Sequence, residues 1–170
     1  MFNNIRKDLK MFPGNPLKHL LFTIEFQTIL SYRIQYYLYK KPRPIRWLVM
    51  PIRLITHYLT GCQIHYQAQI EGGVRLVHAI GVIIGTNVKI GSGTHIFQNV
   101  TLGLRKLGAA DDPQIGKNVV IYAGAVVAGK VSVGDNCVIG ANSVVTKDIP
   151  ANHMAVGSPM KLIKIVDKKQ

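Results

Sequence analysis

The stretch Ile84-Gly85-Thr86-Asn87-Val88-Lys89-Ile90-Gly91-Ser92-Gly93-Thr94-His95-Ile96-Phe97-Gln98-Asn99-Val100-Thr101-Leu102-Gly103 returns to an aliphatic residue at every sixth place. The frame resumes at Ile115, Ile121, Val127, Val133, Ile139 and Val145. It also runs backward through Leu76, Ile70 and Ile64, with two extra residues between Leu76 and Ile84. Gly follows the aliphatic at 85, 91, 103, 116, 134 and 140. The fourth place reads Asn87, Gly93, Asn99, Asn118, Gly124, Lys130, Asn136 and Asn142. Asn and Gly tolerate a left-handed backbone, so this place reads as a corner. The fifth place is small or β-branched, which suits packing beside a corner. Each hexad is therefore a short strand and a corner, and successive coils stack in parallel as a solenoid. Three hexads per coil give about four coils. A β-sandwich of irregular strands would leave the corner residues unexplained.

Two interruptions break the register. The shorter is His78-Ala79-Ile80-Gly81, and the longer runs from Gly103 to Gln114. A solenoid places its function where insertions leave the coil.

The flanks divide the chain into three parts: a basic helical segment over 1–60, the solenoid over 61–150 with a loop at 103–114, and a C-terminal extension over 151–170. In the first, Leu17, Leu20, Leu21, Ile24, Thr28 and Ser31 recur at helical spacing, with Phe22, Phe26, Ile29 and Ile34 on a flanking face. Pro42 and Pro44 end this run, and a second helix is expected from near Ile45 to Gly61. The segment reads as a cap over the open end of the solenoid. With Tyr32, Tyr36, Tyr37, Tyr39 and Trp47 among its basic residues, it also suits peripheral contact with an anionic membrane.

Composition narrows the function classes. The chain has 170 residues, a formal charge of +13 and 48% hydrophobic residues, so it can build a core and is not wholly disordered. Residues 1–60 hold ten Lys/Arg against Asp8 and Glu25, which concentrates the excess there. No recognition motif for nucleic acid accompanies that charge. Cys62 and Cys137 are too few for a disulfide framework and read as free thiols. No run reaches the ~18 apolar residues of a membrane span, and no signal peptide is legible, so a cytoplasmic place is expected.

The repeat resembles that of the hexapeptide-repeat acyltransferases. Asp148-Ile149-Pro150 and Val156-Gly157-Ser158-Pro159-Met160-Lys161 look like their C-terminal signature, with Met160 where Ala is usual. The resemblance implies a mainly β chain folded as a left-handed parallel β-helix, behind the N-terminal α-helical segment, and a homotrimer with active sites between subunits. Residues 61–165 are most similar to the serine acetyltransferase branch. The matching stretches are Gln63-Ile64-His65, Leu76-Val77-His78-Ala79-Ile80-Gly81-Val82-Ile83-Ile84-Gly85, Gln98 to Gly103, and Pro113-Gln114-Ile115-Gly116. Three positions depart: Gln63 and Val77 stand where that branch has Asp, and Asp111-Asp112 where it has Arg-His. With the short basic N-terminal segment, these departures point to the colanic-acid-type polysaccharide acetyltransferases.

By the resemblance, the catalytic His falls on His78, inside the shorter interruption. Acetyl transfer to a hydroxyl needs a base for the alcohol proton and donors for the oxyanion, and an imidazole titrates in the right range. Gln63, His65, Glu71 or Asp112 could orient that base or hold the acceptor. Acetyl-CoA is the implied co-substrate, with Gly103, Ala123, Gly124 and Ala141 beside its pantetheine. Lys161, with Lys130, Lys147 and Lys164, is a candidate for its phosphates. No metal is expected. The γ-class carbonic anhydrases share this solenoid but need a His-x-x-x-x-His pair, and His65, His78 and His95 lie 13 and 17 residues apart. The expected function is acetyl-CoA-dependent O-acetylation of a sugar hydroxyl in a capsular polysaccharide, an exopolysaccharide or its precursor. Serine O-acetylation is the first alternative, and a non-enzymatic trimeric scaffold the second.

Overall fold

The computed structural model describes residues 1–103 and 112–165. From Gln63 onward the chain winds through three sheets in turn. The first sheet stacks β1 (Gln63–Ile64), β4 (Ile83–Ile84), β7 (Thr101–Gly103), β10 (Val126–Ala128) and β13 (Val144–Val145). The second stacks β2 (Gln69–Ile70), β5 (Lys89–Ile90), β8 (Gln114–Ile115) and β11 (Ser132–Val133). The third stacks β3 (Arg75–Leu76), β6 (His95–Ile96), β9 (Val120–Ile121), β12 (Val138–Ile139), β14 (His153–Val156) and β15 (Lys161–Lys164). Neighbouring strands are parallel throughout, except that β15 folds back antiparallel on β14 and ends the stack.

The register places the repeat's aliphatic residues directly over one another. Ile64, Ile84, Leu102, Val127 and Val145 form one inward column. Ile70, Ile90, Ile115 and Val133 form a second, and Leu76, Ile96, Ile121, Ile139 and Ala155 a third. All are buried. Each large aliphatic buried this way contributes about 1.5–3 kcal/mol over leaving it in water. Six of the eight Asn/Gly-type corner positions take a positive φ: Gly93, Asn99, Asn118, Gly124, Asn136 and Asn142. Asn87 and Lys130 do not, the left-handed residue beside Lys130 being Gly129. Corner Asn side chains also bond along the stack, from Asn118 Nδ2 to Asn136 Oδ1 and from Asn136 Nδ2 to Asn152 Oδ1, each at 3.2 Å.

Five helices precede the coils: α1 (Phe2–Lys10), α2 (Pro16–Phe22), α3 (Ile24–Tyr39), α4 (Arg43–Arg46) and α5 (Val49–Thr60). Asn15 caps α2 by accepting from Leu17 N, and Gly61, at φ 65°, closes α5 in a left-handed cap. The sequence spacing suggested one helical run through Leu17 and Ser31. The chain instead breaks at Thr23, whose extended backbone separates α2 from α3. As a result Leu17, Leu20 and Leu21 lie exposed, while Phe26, Ile29 and Tyr32 of α3 join the solenoid core.

Polar contacts fasten this layer to the first coil. Arg33 and Asp8 are 4% and 1% exposed and form a fork, with Nε–Oδ2 at 2.9 Å and Nη2–Oδ1 at 3.1 Å. Arg33 also donates to the carbonyls of Ile70 and Glu71, and Asp8 Oδ1 accepts from Gly73 N and Val74 N. The pair thus satisfies backbone groups that α1 and α3 would otherwise cut off from water. Tyr32 OH donates to Ala68 O at 2.6 Å, and burial pushes its phenol up to about 12. A Cβ on Gly72 would lie 2.8 Å from Asn4 Cα, so α1 comes down against bare backbone. Cys62 and Cys137 are buried free thiols.

Removing one member of a buried pair strands the other charge. Asp8→Ala and Arg33→Met should each cost about 3–5 kcal/mol in urea unfolding, while a substitution at exposed Lys18 should leave the midpoint unchanged.

Candidate active site

The turns that join the sheets form three edges of the prism, and the chemistry-bearing residues divide between two of them. His78 lies on the edge leading from the third sheet to the first, between β3 and β4. Leu76 pairs with Ile96 and Ile84 with Leu102, so the two extra residues of this turn must bulge outward. Gly81 returns the chain to register at φ 63°, with Gly81 N bonded to Thr60 O. The bulge exposes the His78 ring, which meets the edge of Phe97 at a centroid distance of 6.3 Å. Phe97 in turn lies 4.9 Å from Tyr122. The same edge continues down the stack through Gln98, Ala123 and Ala141, where Gly124 N bonds Gln98 O and Asn142 N bonds Ala123 O. Gln98 Oε1 is buried without a hydrogen-bond partner among the described residues.

His65 and Asp112 lie on the edge from the first sheet to the second, with Asn87 and Gly85. Asn87 Nδ2 donates to Asp112 Oδ2 at 3.0 Å, while Asp112 Oδ1 is buried without a partner among the described residues. A Cβ on Gly85 would lie 3.2 Å from that oxygen. Asn87 is therefore not spent on a left-handed corner but holds the carboxylate. His65 Nδ1 accepts from Gln67 N at 3.2 Å, which leaves the proton on Nε2. Tyr66 stacks on the His65 ring at 4.3 Å. Burial, and then the Arg53 guanidinium, push His65 below the ordinary imidazole range, and Asp112 partly offsets them.

Within one chain, then, His65 and Asp112 are brought together and His78 is not beside them. Gln63 is exposed on the outer face of the first sheet, with its N–H bonded to Val82 O. Glu71 lies on the remaining edge, where Oε2 accepts from Ser92 N. Among the described residues His78 makes no side-chain hydrogen bond.

Among the positions expected near acetyl-CoA, an added Cβ on Gly103 meets nothing within 4 Å among the described residues. Gly124 is constrained from within the coil, because a Cβ there would strike the Asn142 side chain. Ala123 and Ala141 lie on the His78 edge, and Lys161 is exposed on β15. Of the loop expected at 103–114, residues 104–111 lie outside the described residues. No cluster of His, Cys, Asp or Glu among the described residues could hold a metal. Sequence reading missed Phe97, Tyr122 and Gln98 as companions of His78. The six-residue period was the available signal, since it places residues 97–98 and 122–123 one and two coils beyond the interruption.

Comparison with known proteins fits this architecture. The bacterial transferase hexapeptide (six repeats) family matches residues 112–147. A serine acetyltransferase of Helicobacter pylori strain 26695 is 37% identical over 150 residues, covering 88% of this chain and 86% of its own. One of Synechococcus elongatus is 38% identical over 153 residues, and this chain spans 61% of its length. A solved serine acetyltransferase in complex with CoA superposes with a TM-score of 0.83 at 29% identity, over 95% of this chain and 68% of that one. The fold and its edges thus define a hexapeptide-repeat acyltransferase. Within that class, the chain belongs to the serine acetyltransferase family.

This corrects the polysaccharide acceptor expected from the sequence. The likeness to a serine acetyltransferase over 88% of the chain outweighs the three substitutions at Gln63, Val77 and Asp112. The short N-terminal segment does not set the chain apart either, because the Helicobacter relative is nearly as short.

The lowered pKa of His65 has a definite sign. The folded chain binds this proton less readily than the unfolded chain, whose imidazole titrates near ~6.5. The resulting stability is present above about pH 6.5 and is lost as pH falls from there through the folded value. NMR titration should place His65 below about 6.5, and Asp112→Asn should lower it further by removing the charge that raises it.

Proposed function

We propose that the chain is an acetyltransferase that moves the acetyl group of acetyl-CoA to the hydroxyl of serine, with His78 as the general base. The supporting observation is the position of His78. It stands exposed on an outward bulge, at the head of an edge lined by Gln98, Ala123 and Ala141. An extended thioester could lie along that edge. A ring nitrogen of His78 takes the serine hydroxyl proton as the oxygen attacks the thioester carbonyl. The tetrahedral oxyanion collapses, the carbon–sulfur bond breaks, and the thiolate leaves with the proton that His78 returns.

The other half of the site is the His65–Asp112 edge. Among the described residues Asp112 Oδ1 is a buried acceptor with no partner, and a substrate ammonium would supply one. Because the two edges are separate in one chain, we propose that a neighbouring subunit brings its Asp112 edge to this His78 edge. The reading includes a left-handed coil, a homotrimer and a cytoplasmic place. The residues present are compatible with coenzyme A without a metal.

His78→Ala should lower serine-dependent thiol release from acetyl-CoA by about 10²–10⁴-fold. Undiminished release would remove His78 as the base. Asp112→Asn should raise the KM for serine more than that for acetyl-CoA. Co-assembly of the two variants should recover part of the activity lost by each, because mixed assemblies contain some sites with both wild-type edges.

A further inference from the structure

α5 is turned the unusual way round. A helix on a globular protein ordinarily buries its apolar stripe and presents its polar face to water. Here Thr56 Oγ1 bonds Ser31 of α3 at 2.6 Å, Thr60 is buried along with Val49, and His57 Nδ1 is buried without a hydrogen-bond partner among the described residues. The outward face carries Met50, Leu54, Ile55, Tyr58 and Leu59. Tyr58 is 80% exposed, Leu59 71%, and Trp47 just before the helix 79%. Among the described residues, sixteen of the 21 exposed large hydrophobic side chains lie within residues 1–60. A ridge of this kind marks an interaction surface.

The charge around the ridge indicates its partner. Asp8 is consumed inside the protein by Arg33, so this segment presents nine Lys/Arg against Glu25 alone. At the head of the ridge a groove of about 670 Å³ is lined by Tyr39, Arg43, Arg46, Trp47, Met50 and Tyr66. Arg43 and Arg46 are exposed, and Arg46 lies over the Tyr39 ring at 4.8 Å. Guanidinium groups beside an indole and a run of aliphatics match an anionic headgroup above acyl chains. No helix among the described residues is long and apolar enough to span a bilayer, so contact of this kind would be with the surface. We propose that the α4–α5 ridge docks on anionic lipid, with Trp47, Met50, Leu54 and Tyr58 entering the interface and Arg43 and Arg46 pairing with headgroups. This does not depend on the acceptor proposed above.

Trp47 is the single tryptophan of the chain and reports directly. The full chain is mixed with vesicles of phosphatidylcholine alone or with phosphatidylglycerol, then sedimented. The expected result is co-sedimentation with the anionic vesicles only, a blue shift of Trp47 emission, quenching by brominated acyl chains, and release by added salt. Arg43→Glu with Arg46→Glu should weaken binding by more than about fivefold per residue, since each loss of charge is compounded by reversal. Met50→Ser with Leu54→Ser should abolish the blue shift. A cooperative thermal unfolding transition in each variant separates lost docking from lost fold. Wild-type protein left in the supernatant with anionic vesicles at low salt would overturn the proposal. So would a Trp47 already blue-shifted without lipid that turns red as the ridge variant dissociates into smaller assemblies, because a second copy would then occupy the ridge.

Discussion

A coil of this prism cannot close its own interior. Each inward aliphatic is covered above and below by the residue one coil away, so Ile96 depends on Leu76 and Ile121, and Ile84 on Ile64 and Leu102. Both ends of the stack must therefore be sealed by something outside the repeat. At the far end β15 folds back on β14, and Met160 just before it packs against the core. At the near end α1 and α3 lie over the first coil, and sealing there isolates backbone amides and carbonyls. The Arg33–Asp8 pair answers that need, bonding the amides of Gly73 and Val74 and the carbonyls of Ile70 and Glu71. A purely apolar seal would have left those groups unsatisfied.

The same stacking governs where chemistry can sit. Inward positions are filled by aliphatics and strand positions are held by the register, which leaves the edges. An insertion at an edge costs the stack little, because the strands before and after it keep their partners. The two extra residues around His78 leave the Leu76–Ile96 and Ile84–Leu102 pairs intact and lift one ring into solvent. Asp112 enters from the longer interruption and is held by Asn87, a corner residue released from the left-handed conformation that six of its equivalents adopt. The two interruptions leave from different edges, and this division frames the proposed contact between subunits.

Attachment to the coil also explains the helical segment. α3 spends its buried face on the first coil and on α5, which meets it with Thr56. Apart from buried Val49, the large apolar residues Met50, Leu54, Ile55, Tyr58 and Leu59 of α5 then face outward. The reversed polarity thus follows from a polar contact inside the molecule as much as from any affinity outside it.

Much of the fold was legible in residue order. The six-residue period sets an inward column on each face whatever the hand of the coil, and the Asn/Gly corners follow from the left-handed backbone a tight turn requires. Gly61 and the prolines at 42 and 44 likewise mark helix limits by local sterics. Pairing His65 with Asp112, separating both from His78, and joining Asp8 to Arg33 were not legible, because each depends on which edge or layer a residue reaches in space. The acceptor is not legible in Gln63, Val77 and Asp112 for a related reason, since a pocket is built by the elements that hold it. The sequence by itself determined the coil, since short-range sterics and one period suffice for that. Only the tertiary structure decided which edge carries each functional group and which face of α5 meets water, since those depend on contacts between residues far apart in the chain.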